Sequence, residues 1–462
     1  ADQVLAVPDL LPGLERVDLM LKRIERLENL GRRTEIDVAV SEALEAAKQL
    51  GDDGLEARSH LAVGVHLSRS ARFEEAYDEL KRALELAERS GDPSLIARVT
   101  GILTVPLRHL GRFDEGRQHG ERSLALAEQH GDVEGQARAA GNLGTLLITG
   151  GHYSLAEEYL ERSLALARAA GDRGKEARAT GNLASLYVLQ GRYEEHRATQ
   201  RAHLSLSREI GHREGEAAAT ASLSVEAMRR GRYAEAMQRC EEFLSLSIEF
   251  GSRHWELIAR MNLASLFIHL GDRDRARSMA RDAEKLADEI GSPTSQGEVI
   301  SLFGRIAEQA GDFDRAAECF GTHLEFCERF RPAGVQGHAQ FMLARVEAGR
   351  GDTRAAIERF ERARELAESG GHPPIRVLAS AHLALHGLAE PSAVLELFRD
   401  HEKRLEALDR LEAHFVLFRA TGDAECLAAA KSILEDLRAA APPGHQASLV
   451  REVPLHRAIA EA

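Results

Sequence analysis

The chain has 462 residues, 44% of them hydrophobic, 29% charged and only 5% aromatic, with a formal net charge of −14. That acidic balance argues against nucleic acid as the main partner, because phosphate binding rests on concentrated Lys and Arg. No apolar run reaches the ~18 residues of a membrane span and no basic–apolar–small leader opens the chain, so the expected setting is the cytoplasm, with no membrane partner.

Residues 1–10 read as an N-terminal extension, and a start at Ala1 rather than Met points to part of a longer or processed protein. From there glycine recurs every 40 residues. Gly111, Gly151, Gly191, Gly231, Gly271, Gly311 and Gly351 form one series; Gly51, Gly91, Gly131, Gly171, Gly211, Gly251 and Gly291 form a second, offset by 20. A fixed period of this size marks a stacked repeat array. Such an array grows by adding units, so length does not set a domain count. The first unit spans 11–50, with its turn at Leu30-Gly31.

Unit 131–170 shows the plan. Asp132 can cap helix A, its side-chain oxygen accepting from free backbone N–H groups. Helix A runs to Thr149, Gly150-Gly151 ends it, and helix B runs from Tyr153 to Ala170. Apolar residues recur at three- and four-residue spacing and never alternate over a sustained stretch, which predicts an all-α chain. Leu103, Leu143, Leu183, Leu223, Leu263, Phe303 and Leu343 form a core column of helix A. Leu86, Leu126, Leu166, Leu206, Leu246, Leu286, Phe326 and Leu366 form one of helix B. Small residues such as Gly64 and Gly144 on helix A face Ala76 and Ala156 on helix B, and a ring such as Phe73 or Tyr153 opens helix B.

Nine regular units fill 11–370; the one at 331–370 opens with Arg331-Pro332 instead of Gly-Asp. Pro373-Pro374 and Pro391 open further helices, and Gly422-Asp423 comes early, so 371–440 reads as two degenerate capping repeats. Residues 441–462 form a tail with a short helix. Cys319 and Cys327 lie eight residues apart on one helix, ~12 Å at 1.5 Å per residue, too far for a disulfide. With Cys240 and Cys426 they read as free, buried thiols.

Leu143-Gly144, then Tyr153, Ala156 and Leu160, resembles the tetratricopeptide repeat, and the 40-residue period resembles its long variant. That variant occurs in Pins-type scaffolds, kinesin light chains and bacterial signalling ATPases and regulators. The resemblance covers 51–370. It implies a right-handed superhelical solenoid of about 11 antiparallel helix pairs, with a concave face lined by the A helices. The tail around Val453–Arg457 is similar to the closing segment of bacterial proteins in which a kinase or ATPase region precedes such repeats.

One polar column stands out. Arg58, Arg98, Arg138 and Arg178 occupy the same point of four successive A helices. One turn on come Asn142, Asn182, Ser222 and Asn262, and a further turn adds Thr145 and Ser185. Spacing of four, then three, puts Arg138, Asn142 and Thr145 on one helix face. Beyond Arg178 the arginine column continues as Ala218, Ile258, Glu298 and His338 and loses its charge. Two readings stay open. Arginine can hold a carboxylate bidentately and asparagine can pair with a peptide backbone, which suits an acidic or C-terminal segment of a protein partner. Alternatively, acids on neighbouring helices pair with the arginines as an internal ladder.

His196 stands where other units have alanine and reads as a hydrogen-bonded core residue; Trp255 also reads as core. No phosphate-binding loop, nucleophile elbow or metal-ligand spacing appears, so no enzyme activity, cofactor or metal is expected. The expectation is a protein- or peptide-binding and sensing module of a bacterial cytoplasmic signalling protein. The alternatives are a stand-alone scaffold, or the regulatory region of a larger kinase, ATPase or protease.

Overall fold

The computed structural model describes residues 13–29, 33–70, 72–190, 192–249, 251–291, 293–330 and 333–462. The N-terminal extension and the features assigned to Leu30-Gly31, Gly191 and Arg331-Pro332 lie outside them. The chain forms two compact units, 1–219 and 220–462.

In the first unit the helices are α1 (Gly13–Asn29), α2 (Arg33–Leu50), α3 (Asp53–Arg69), α4 (Phe73–Ser90), α5 (Pro93–His109), α6 (Phe113–Gln129), α7 (Val133–Thr149), α8 (Tyr153–Ala169), α9 (Arg173–Leu189) and α10 (Tyr193–Glu209). Helix α11 (Arg213–Arg229) crosses the division. The second unit continues with α12 (Tyr233–Glu249), α13 (Arg253–His269), α14 (Arg273–Ile290), α15 (Pro293–Ala310), α16 (Phe313–Phe330), α17 (Ala333–Arg350), α18 (Thr353–Ser369), α19 (Pro373–Leu385), α20 (Pro391–His401), α21 (Ala407–Thr421), α22 (Ala424–Ala439), α23 (Gln446–Arg451) and α24 (Pro454–Glu461). No strand occurs among the described residues. The architecture is an all-α solenoid of helix pairs, odd-numbered helices being A and even-numbered B.

Local chemistry sets the boundaries. Asp52, Asp132, Asp172 and Asp352 each accept a backbone N–H three residues on, at 2.8–3.0 Å, satisfying donors that a helix start leaves free. Every described glycine of the two 40-residue series has φ between 65° and 84°, a left-handed conformation that costs glycine little.

The seams between A and B helices work by complementary volume. A Cβ on Gly144 would lie 2.5 Å from Leu160 Cγ, and one on Gly64 the same distance from Leu80 Cγ. In the intervening repeat the roles reverse: Gly120 on helix B is small, and Leu143 and Thr104 fill the space. The deepest B-helix positions are therefore Leu80, Leu160, Cys240, Phe320 and Phe360, all fully buried. Of the expected B column, Leu86, Leu206, Leu246, Leu286 and Leu366 are buried, and Leu126, Leu166 and Phe326 are half-buried. The A column holds better: Leu103, Leu143, Leu183, Leu223, Leu263 and Leu343 are 1–4% exposed, and Phe303 is half-buried. All four cysteines are buried and free.

Odd-numbered helices of successive repeats also touch: α3 with α5, α5 with α7 and α7 with α9. They therefore line the inner side of the first unit's curve. The second unit closes on itself. Leu437 of α22 packs against Gly231, and the Ala234 N–H donates to the Ala440 carbonyl at 2.9 Å. Ser448 Oγ donates to the Leu270 carbonyl at 2.8 Å, and Arg273 pairs with Glu452 at 2.9 Å. Leu449 and Ile459, fully buried, join the same apolar core as Tyr233 and Leu270.

Candidate functional site

Arg58, Arg98, Arg138 and Arg178 lie on α3, α5, α7 and α9, the helices that line the inner side of the first unit. Arg58 is taken internally, pairing with Asp18 of α1 at 2.6 Å. Arg98, Arg138 and Arg178 have no ion pair among the described residues. Glu134, one turn before Arg138, goes instead to Lys175, which also holds Asp172.

Arg98 and Arg178 are exposed and Arg138 is half-exposed. Even so, desolvation pulls the Arg138 and Arg178 guanidinium pKa values below their ordinary range. For Arg138 the charges of Arg98 and Arg178 push the same way, against the opposing pull of Asp132 and Glu134. A side chain open to water by area yet desolvated by surrounding protein sits on a concave surface. The three guanidiniums thus form a row of like charges with no ion-pair partner among the described residues, on walls that concentrate their field.

The neutral part of the column is spent differently. Asn142 Nδ2 donates to the Gly101 carbonyl on α5 at 2.9 Å. Asn182 Nδ2 donates to Thr145 Oγ1 at 3.3 Å, and Thr145 in turn donates to the Gly141 carbonyl. Ser185 Oγ donates to the Gly181 carbonyl at 3.1 Å. Asparagine ties successive A helices together while the arginines stay outside that ladder. Ser222 on α11 and Asn262 on α13 are half-buried and belong to the second unit. Leu189, 53% exposed at the end of α9, adds an apolar surface.

His196 is a core residue, 4% exposed with Nδ1 2.8 Å from the Ala184 carbonyl, and Trp255 meets Phe243 edge-on at 5.9 Å. A network absent from the sequence reading lies in the second unit. Arg345 pairs with Glu308 at 2.7 Å and Glu412 at 3.2 Å, and Glu412 reaches His382 at 3.0 Å. Burial works to raise the Glu412 pKa, but Arg345 and His382 outweigh it and hold the carboxyl at about 2. The partners lie up to 67 residues apart, so no local pattern could have joined them. Among the described residues no group of three or more His, Cys, Asp or Glu could hold a metal ion, and no helix is long and apolar enough to cross a membrane.

The tetratricopeptide repeat family profile matches residues 107–169. Solved structures with this fold include the Rap conjugation gene regulator of plasmid pLS20 in complex with the Phr* peptide. It is 12% identical, with a TM-score of 0.53 over 72% of this chain and 96% of that one. The apo quorum sensor NprR from B. thuringiensis is 13% identical, with a TM-score of 0.52 over 76% and 99% of the two chains. A Rap protein complexed with competence and sporulation factor is 14% identical, with a TM-score of 0.50 over 69% and 99%. No curated protein sequence matches. At these identities the similarity establishes the fold alone.

Proposed function

The chain is a tetratricopeptide repeat array, and from that premise we propose that its first unit is a peptide-binding module of a bacterial cytoplasmic signalling protein. The ligand is an acidic or C-terminal segment of a protein partner, laid along the inner faces of α5, α7 and α9. The observation that carries this reading is the row Arg98, Arg138 and Arg178: three guanidiniums with no ion-pair partner among the described residues, two of them desolvated. Guanidiniums kept this way are costly unless a carboxylate reaches them, and each charge-assisted bond contributes roughly 1.5–3 kcal/mol. Similarly folded structures hold the Phr* peptide and competence and sporulation factor, which fits a groove of this kind. The protein acts by binding, without chemistry of its own; whether it works as a free scaffold or regulates an attached domain depends on its context.

The test is a pull-down with the purified array, run beside the double variant Arg138→Ala/Arg178→Ala, with captured proteins identified by mass spectrometry. A partner bound through an acidic or C-terminal segment should be retained by the native array and lost by the variant, and its affinity should fall as salt rises. Equal capture by both proteins would remove the groove from the explanation.

A further inference from the structure

The arginine column of the first unit carries its own ruler. Asp18 of α1 stands at the same lattice point one repeat before Arg58. Its carboxylate meets the Arg58 guanidinium at 2.6 Å and is also held by Lys22 at 3.1 Å. The fold thus supplies an acid to the first arginine of the column. The next three, Arg98, Arg138 and Arg178, have no ion pair among the described residues, and Arg98 and Arg178 are exposed. Each stands one repeat from the next, on A helices that touch, and packed helices lie roughly 8–10 Å apart. A ligand that satisfies all three must present carboxylates at that interval, three in a row.

The face beside the row gives a ligand's backbone little to bond. The Asn142 and Asn182 amides and the Thr145 and Ser185 hydroxyls donate within the fold, and no strand among the described residues offers an edge. A β segment turns successive side chains to opposite faces, so acids three apart would point away from each other. An α-helix covers the interval in about seven residues, and matching three arginines takes about fifteen, a length at which an isolated helix is marginal in water. A polyproline II segment rises about 3.1 Å per residue with three residues per turn. Every third side chain then faces the same way about 9 Å on, and the backbone stays solvated without partners.

On the premise that the first unit binds an acidic peptide, we propose that the row recognises a polyproline II segment with an acidic side chain at every third residue, three in all, and that Asp18 ends the row by occupying Arg58. At the other end the column continues as Ala218, where the charge is lost. The recognised core is about seven residues long, and it is read by the spacing of its carboxylates. Asp18 stands in for a carboxylate of the ligand, so its removal opens a fourth position.

Three labelled peptides of one composition, acetylated and amidated so that no terminal carboxylate contributes, serve as probes. One is Asp-Pro-Pro repeated three times; in the second the aspartates alternate with proline, and in the third they form a block. Fluorescence anisotropy against the full chain at low salt should give the first an affinity about tenfold or more above the other two. That affinity should be lost in Arg138→Ala/Arg178→Ala and fall as salt rises. An alanine-rich helical peptide with glutamate at every seventh residue should bind no better than the block. In Asp18→Asn, four Asp-Pro-Pro units should bind several-fold tighter than three, whereas in the native chain the two lengths should agree within about twofold. Equal affinity for the three spacings, lost in the double variant, keeps the acidic groove and overturns its register. A tighter helical peptide overturns the polyproline II form, and an unchanged length preference in Asp18→Asn overturns the role of Asp18. If no acidic peptide binds at all, the groove and its register fall together.

Discussion

Replacing Gly144 with alanine should change the sign of its effect with the neighbour it meets. In the native seam the added methyl would lie 2.5 Å from Leu160 Cγ and 2.7 Å from Leu160 Cδ2. Overpacking of that depth costs roughly 1–3 kcal/mol, against a gain of about 1 kcal/mol from the better helix propensity of alanine. The single change should therefore destabilise the α7–α8 hairpin by up to about 2 kcal/mol. Leu160→Ala alone empties a fully buried position, at a cost of about 2–5 kcal/mol. In that background the new methyl enters the vacated space, and Gly144→Ala should recover about 1 kcal/mol. The coupling between the two sites is favourable and falls within the 0.5–3 kcal/mol typical of touching residues. Repeats lose structure by neighbourhood rather than all at once. The assay is therefore amide hydrogen exchange resolved over α7 and α8, with a urea melt for the whole chain. If Gly144→Ala stabilises equally in both backgrounds, volume does not set the seam and the packing argument is wrong.

Asn142→Ala breaks the tie to the Gly101 carbonyl and should cost about 1 kcal/mol, whereas Arg138→Ala relieves like-charge repulsion and should leave the melting temperature unchanged or raise it; thermal melts of the two single variants read both. The Glu412 carboxyl titrates at about 2 in the folded chain and near 4.5 in the unfolded one. The stability it supplies is complete above about pH 5 and is lost as pH falls toward 2. Melts of Glu412→Gln and the native chain across that range should converge at the acid end; a constant gap would show that Arg345 does not depend on it. Deleting residues 442–462 removes α23 and α24 with the Ser448 and Glu452 contacts. Exchange should quicken in α13 and α14, and the first unit should keep its protection.

What could be read from sequence was what is local. The turn glycines, the aspartate caps and the A-helix leucines each depend on a few residues of chain, and their period repeats the information many times. The B column was read correctly at Leu86, Leu206, Leu246, Leu286 and Leu366, while Leu126, Leu166 and Phe326 at the same lattice position are only half-buried, a difference the repeat period does not carry. Position alone put the four arginines in one column. Their separation into Arg58, held by Asp18, and three without a partner needed the first helix pair in place. The contacts of the tail with Leu270 and Arg273 span up to 179 residues and leave no periodic trace.

Closure of the second unit has a consequence for how this protein can change over time. An open stack tolerates the gain or loss of a whole hairpin, because each unit touches only its neighbours. Between α12 and α22 that freedom is gone. One extra 40-residue hairpin would displace Leu437 from Gly231 by about the 10 Å that separates packed helices, and the buried tail would have nothing to meet. The number of hairpins in the second unit is therefore counted by its own geometry, and whole-repeat duplications should survive only in the first.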